Sequence, residues 1–205
     1  NNNELVAIFG NFINRVVVLT NKYYEGIVPE PASFSEVDIA NLTELKAYPK
    51  VIENSIERYR FREAQAEFMN VARLGNKYLA DEEPWKKIKT DAERTKTIMF
   101  VSLQIASALA VLCEPFLPFT ASKLKDMLSL NELKMSWGEI STKEVLIPVN
   151  HQIGKGELLF SKIEDVQVQQ QLDKLEATKK ENIVMNASPI PQKDTIQFDD
   201  FTKLD

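Results

Sequence analysis

The chain has 205 residues, 44% of them hydrophobic and 27% charged, with a formal net charge of −5. That composition supports a sizeable core and a mostly globular chain. The acidic balance argues against a protein that coats nucleic acid through a general basic surface, while leaving room for a local basic patch that reads a few bases.

The chain opens Asn1-Asn2-Asn3, without an initiator Met, a basic n-region or an apolar h-region, so no signal peptide is expected and it reads as a piece of a longer protein. Residues 3–24 predict a helix, because Leu5, Ile8, Phe9, Phe12, Val16, Leu19 and Tyr23 recur at i, i+3, i+4 and i+7. Residues 26–33 contain Gly26, Pro29 and Pro31 and predict a loop. Ser35 offers an N-cap for a helix through Asp38 and Leu45, which Pro49 either kinks or restarts. A long helical stretch is expected over residues 51–78, with Arg58, Arg60 and Arg62 near its middle. Pro84 breaks the pattern, and a further helix follows over residues 91–114. Its Ile98, Val101, Leu103, Ile105, Leu109 and Leu112 make it apolar nearly all round, which predicts a central helix of a bundle.

That helix carries the single cysteine, Cys113, which excludes an intrachain disulfide and suits a reducing, cytoplasmic setting. Ser102, Gln104 and Ser107 interrupt its apolar run, which falls short of the roughly 20 residues of a membrane span. Pro115 and Pro118 end it, and another helix is expected over residues 119–128. Residues 145–147 and 157–160 then read as two short strands, with Gly154 and Gly156 between them. Residues 163–182 are rich in Gln, Lys and Glu and predict a solvated or projecting helix. Residues 186–205 hold two prolines and an unfinished apolar pattern, Ile196, Phe198 and Phe201, expected of a linker into a further domain. No internal repeat or long heptad series is present. The expected class is therefore all-α: a bundle of about five helices with a small C-terminal appendage of short strands and a polar helix.

Catalytic motifs are scarce. The one histidine, His151, sits in a Gly-flanked loop with no Cys or second His nearby, so neither a metal site nor a Ser/His pair is supported. Glu82-Glu83 and Asp199-Asp200 read as solvated carboxylates. No Walker-type or GxGxxG loop occurs. Lys134-Met135-Ser136-Trp137 resembles the start of the KMSKS loop of class I aminoacyl-tRNA synthetases, but its second Lys and second Ser are missing and no HIGH-type partner exists. Met135 and Trp137 are better read as packing against the bundle.

Two polar residues inside the first apolar run carry more information. On a helix turning about 100° per residue, Asn11, Arg15 and Lys22 fall together, roughly a quarter-turn from the face centred on Leu5, Phe9, Phe12 and Val16. The Asn and Arg heads are then neighbours at i and i+4. An amide and a planar guanidinium fork suit the Watson–Crick edge of an unstacked base. Arg15 bridging to a carboxylate, with Asn11 capping a loop, is the structural alternative. Trp85 follows Pro84 beside Lys86, Lys87 and Lys89, a grouping that suits stacking on a base with ammonium groups meeting phosphate. A ring plugging the end of the bundle is the alternative there.

Phe9-Gly10-Asn11-Phe12-Ile13-Asn14-Arg15, Arg58-Tyr59-Arg60-Phe61-Arg62-Glu63-Ala64, Gly75-Asn76-Lys77-Tyr78, Pro84-Trp85-Lys86 and Glu114-Pro115-Phe116-Leu117-Pro118 occur in the order and approximate spacing of one family. The chain resembles, over residues 5–165, the anticodon-binding domain of methionyl-tRNA synthetases. The tail QFDDFTKLD resembles the entry to the OB-fold tRNA-binding module that many bacterial members carry. The resemblance implies that Asn11 and Arg15 bind anticodon bases and that Trp85 stacks on the first, the cytosine of CAU, with Pro84 shaping the turn. Lys22, Lys86, Lys87 and Lys89 are the expected supporting phosphate contacts. Arg58, Arg60, Arg62, Asn76 and Tyr78 match family motifs but are assigned to packing and ion pairs.

The implied parent reaction is ATP-dependent ligation of methionine to its tRNA. This chain lacks the catalytic domain, so it is expected to need no cofactor of its own and to be inactive alone. Its expected partners are the anticodon loop of methionine tRNA and the catalytic domain of the same chain, without DNA or membrane, as a monomer in the cytoplasm. The expected organisation is a bundle with appendage over residues 1–165, a polar helix over 166–185, and a linker over 186–205 into a truncated OB-fold domain. The competing readings are the anticodon domain of another class I synthetase, for isoleucine, valine, leucine or cysteine, and a helical protein-interaction module that docks through residues 163–182.

Overall fold

A computed structural model describes residues 2–133 and 135–187, with only the backbone described for 183–187. Lys134 and residues 188–205 lie outside it, so the expected linker beyond residue 187, Asp199-Asp200 and the OB-fold entry fall outside the described residues. The chain divides into two compact units, the first ending at Lys162 and the second beginning at Ile163.

The first unit is helical. A π-helical run, Asn2–Gly10, leads directly into α1 (Asn11–Tyr24). Then come α2 (Glu36–Glu57), α3 (Phe61–Glu82), α4 (Pro84–Lys87), α5 (Ala92–Leu112), α6 (Pro118–Met127) and α7 (Trp137–Thr142). In the second unit, α8 (Asp165–Ala187) is exposed along the turns whose side chains are described.

The expected central helix is α5, where every residue from Thr97 to Leu112 is buried. By length and composition α5 also passes for a membrane span, but 94% of its most apolar stretch is buried inside the bundle, as in a core helix. Burial pushes the Cys113 thiol at its end up to about 12. The predicted cap of α2 is a full capping box, in which Ser35 Oγ accepts from the Asp38 amide at 3.4 Å and Asp38 Oδ2 accepts from the Ser35 amide at 2.8 Å. Pro49 lies buried inside α2, which continues past it to Glu57.

Three expectations are corrected. The long helix over residues 51–78 is two helices, parted at Arg58-Tyr59-Arg60. Tyr59 adopts φ 58°, its amide donates to Ile56 O at 2.9 Å, and the Arg60 amide reaches Ser55 O at 2.8 Å. That is a Schellman ending with tyrosine where glycine is usual. The first helix begins as a π-helix rather than an α-helix. At its end, a Cβ on Gly10 would lie 3.1 Å from the Leu5 carbonyl and 3.2 Å from the Phe160 ring, so the missing side chain admits both.

The third correction is that residues 145–147 and 157–160 form no strands. Gln104 of α5 takes the place of a neighbouring strand for the first segment. Its Oε1 accepts from the amides of Leu146 at 2.7 Å and Ile147 at 3.1 Å, and its Nε2 donates to Ile147 O at 3.0 Å. The second segment lies against helices: Leu158 O accepts from Lys123 at 3.0 Å, and Phe160 meets Phe9 at 5.6 Å between ring centroids. The short apolar runs here belong to an extended chain laid on a bundle, with side chains of Gln104 and Lys123 standing where a neighbouring strand would bond. The appendage is tied to the loop after α1 by the antiparallel bridge between Ile27 and Gln152. His151 Nε2 lies 2.9 Å from Leu128 O, a structural contact.

Candidate nucleic-acid interface

The π-helical run with α1, and α3, run side by side in the same sense. Phe9 packs edge-on to Phe68 with centroids 5.5 Å apart. One level on, the Phe12 ring lies over Gly75, where a Cβ would come within 2.4 Å of Phe12 Cζ. Glycine at this position is what allows the two helices so close. The approach brings Asn11 Nδ2 to 3.2 Å from Asn76 Oδ1. One helical turn beyond Asn11, Arg15 stacks on Trp85, its Cζ 4.5 Å from the ring centroid.

Trp85 reaches Arg15 because α3 stops abruptly. Pro84 disfavours the right-handed helical region at the residue before it. Glu83 turns instead to φ 43°, ψ 57°, closing α3, and the buried Pro84 opens α4 at its first position. Trp85 is therefore presented from the first turn of a new helix and is only half-buried.

The structure thus joins Asn11, Arg15 and Trp85 in one surface, with the buried Pro84 beneath it, and adds Asn76. Arg15 forms no ion pair among the described residues, and Asn11 bonds a side chain on another helix rather than capping a loop. Both structural alternatives for the pair are thereby replaced. The lysines differ from one another. Lys86 pairs with Glu83 at 2.6 Å and Lys87 with Glu82 at 2.7 Å. Lys89 is exposed and without an ion-pair partner among the described residues. Lys22 lies seven residues past Arg15, about 10 Å along the helix axis, with its Nζ 5.6 Å from the Tyr23 ring centroid. Of the other family-motif residues, Arg58, Arg60 and Arg62 are exposed, and Arg60 pairs with Glu63 at 3.3 Å.

A buried polar cluster lies behind the turn. The Asp38 side chain, fully buried, accepts from Tyr78 Oη at 2.6 Å, from Arg94 Nη2 at 2.9 Å, and from Arg94 Nη1 and Ser35. Arg94 also gives Nε at 3.2 Å and Nη2 at 2.9 Å to Glu82 Oε2, the oxygen that takes Lys87. Burial alone would raise the Asp38 carboxyl. The bonds from Arg94, Tyr78 and Ser35 outweigh it and hold the group below the usual carboxylate range. Apart from the Ser35 cap, the sequence marked none of these partners, which lie as far as 56 residues apart, and Glu82, expected as a solvated carboxylate, is instead held by Arg94 and Lys87.

A family profile described as the anticodon binding domain of methionyl tRNA ligase matches residues 28–180. The methionine–tRNA ligase of Flavobacterium psychrophilum is 69% identical over 205 residues, which is all of this chain and 30% of the relative. That of Bacteroides fragilis is 48% identical over the same span, again 30% of the relative. The chain thus spans about a third of the length of the curated relatives it matches. Among solved structures, the free-state methionyl-tRNA synthetase of Mycobacterium tuberculosis superposes with a TM-score of 0.74 at 20% identity, over 80% of this chain and 33% of that one. At that identity the superposition establishes the all-α fold. The same enzyme in complex with methionyl-adenylate gives a TM-score of 0.73 at 21% identity, over 78% of this chain and 32% of that one.

Proposed function

The chain belongs to the methionyl-tRNA ligase family as its anticodon-binding domain, and we propose that it recognises the CAU anticodon of methionine tRNA through Asn11, Arg15 and Trp85. The observation that carries this reading is the stack of the Arg15 guanidinium on Trp85, with Asn11 one turn away on the same helix. An aromatic platform beside edge-reading donors is what a single-stranded loop requires. In this arrangement Arg15 covers part of one indole face while the first base stacks on the other. Asn11 and Arg15 then reach base edges. Exposed Lys89, and Lys86 after exchanging its weak surface pair with Glu83, meet phosphate, with Lys22 further along the loop. Lys87, held by Glu82, is better assigned to shaping the turn.

In the parent ligase this recognition serves ATP-dependent attachment of methionine in the cytoplasm, with chemistry supplied by the part of the enzyme outside this chain. The chain alone then supports no methionine-dependent ATP–pyrophosphate exchange. The site is tested by binding a labelled CAU stem-loop to Arg15→Gln and Asn11→Asp at low salt. Each variant should lose roughly tenfold or more in affinity, the scale of one good base contact. Wild-type affinity in both would move recognition to another surface.

A further inference from the structure

The Glu83–Pro84–Trp85 turn is short, and Glu83 sits in a backbone region that non-glycine residues rarely occupy. Such a turn holds its geometry only if its surroundings impose it. Residues on both sides of it converge on one cluster. Glu82 immediately precedes the turn and Lys87 lies two residues after Trp85, and the two are joined at 2.7 Å. Arg94, at the start of α5, grips Glu82 through Nε at 3.2 Å and Nη2 at 2.9 Å. Its other contacts reach Asp38 of α2, which is itself fixed by Tyr78 of α3 and by the α2 cap.

We infer that Glu82 and Arg94 are positioning residues for anticodon recognition, clamping both ends of the Trp85 turn so that the indole is held against Arg15. Stability alone does not call for such a cluster, because well-packed apolar residues stabilise a core as well as a buried ion network does. What the network adds is a fixed direction: a planar fork and two carboxylates allow one arrangement of α3, α4 and α5, where apolar contacts would allow several. The cluster touches no base and acts through Trp85. The inference therefore rests on the reading of Trp85 as the stacking platform.

The test uses the 205-residue chain with Trp137→Phe, which leaves Trp85 as the only tryptophan. Glu82→Gln releases the negative hub while keeping its size, and Arg94→Lys keeps the charge that Asp38 needs while losing the fork. Folding is followed by circular dichroism, and the local mobility of Trp85 by fluorescence anisotropy decay. Affinity is measured for a CAU stem-loop and for one with the first base changed. Both variants should fold, show faster depolarisation of Trp85 in the free protein, bind CAU roughly tenfold more weakly and discriminate less between the loops. That loss is part of the roughly 5- to 150-fold that a lost stacked base would cost. Unchanged affinity and discrimination would overturn the inference. So would a lowered melting temperature with discrimination intact, since that marks a purely structural role. Trp85→Ala, run alongside, separates the premise: if it binds CAU like the parent, the stacking reading fails first.

Discussion

Gly75→Ala should destabilise the bundle, although alanine is the better helix former. The new Cβ would sit 2.4 Å from Phe12 Cζ and within 2.7 Å of both Cε atoms, in a part of the core where Phe12 is fully buried. Ordinary carbon contacts are about 3.5–4.0 Å, so the ring must move by an ångström or more into packed neighbours. Overpacking of this kind costs about 1–3 kcal/mol, and helix propensity returns about 0.8–1.0 kcal/mol. The net expected loss is up to about 2 kcal/mol. With a urea m-value of about 2 kcal/mol/M, the midpoint should fall by up to about 1 M. Phe12→Leu supplies the control, because it deletes Cε1, Cε2 and Cζ, the atoms in conflict. In that background Gly75→Ala should become neutral or stabilising by up to about 1 kcal/mol, for a coupling energy of roughly 1–3 kcal/mol. Urea melts of the four proteins, followed by far-ultraviolet circular dichroism, complete the cycle. Equal effects of Gly75→Ala in both backgrounds, or stabilisation in the wild type, would refute the claim that glycine is there to admit the Phe12 ring.

Gln104→Leu should cost about 2–5 kcal/mol, because three buried backbone groups at residues 146–147 lose their partner. Hydrogen exchange should quicken at the Leu146 and Ile147 amides, and slow exchange retained there would show that the clamp is dispensable. For Asp38, the folded-state pKa lies below the unfolded value of about 3.9. Its contribution to stability is therefore full above about pH 5 and is lost as pH falls through the folded value. The stability gap between wild type and Asp38→Asn should stay flat from pH 8 to about 5 and close below about pH 4, as measured by urea melts. A gap that widens on acidification would contradict the assignment of Asp38 as a paired, ionised carboxylate.

Much of the helical architecture was legible because local signals and burial agree. The Ser35 cap, the loop prolines and the all-round apolar α5 each have one reading, and each is present in the fold. The helix break at Tyr59 was not legible, since its Schellman ending uses an aromatic residue in the left-handed region where sequence reading looks for glycine. Ser129, with φ 52°, ends α6 in the same way. The two supposed strands failed for another reason: a short apolar run beside turn residues reports a partly buried extended chain, whether the partner is a strand or the Gln104 amide. At the site, the i, i+4 pair of Asn11 and Arg15 and the Pro84-Trp85 step stood out as local patterns. Their meeting, and the part played by Asn76, Glu82 and Arg94, depend on contacts across helices such as that between Asn11 and Asn76, 65 residues apart. No periodicity carries that information.

Under the proposed function, Trp85, backed by Arg15, is the platform for the first anticodon base. Its most direct test is a tryptophan fluorescence titration of the Trp137→Phe protein at low salt, with the CAU stem-loop and with the same loop changed at its first base. Trp85→Ala is tested in parallel for binding to the labelled CAU loop. Quenching by CAU at the lowest concentration, weaker binding of the altered loop, and a loss of roughly 5- to 150-fold in CAU affinity for Trp85→Ala are expected. Equal binding of both loops, or a Trp85→Ala protein that keeps its affinity, would contradict the assignment of Trp85 as the stacking platform.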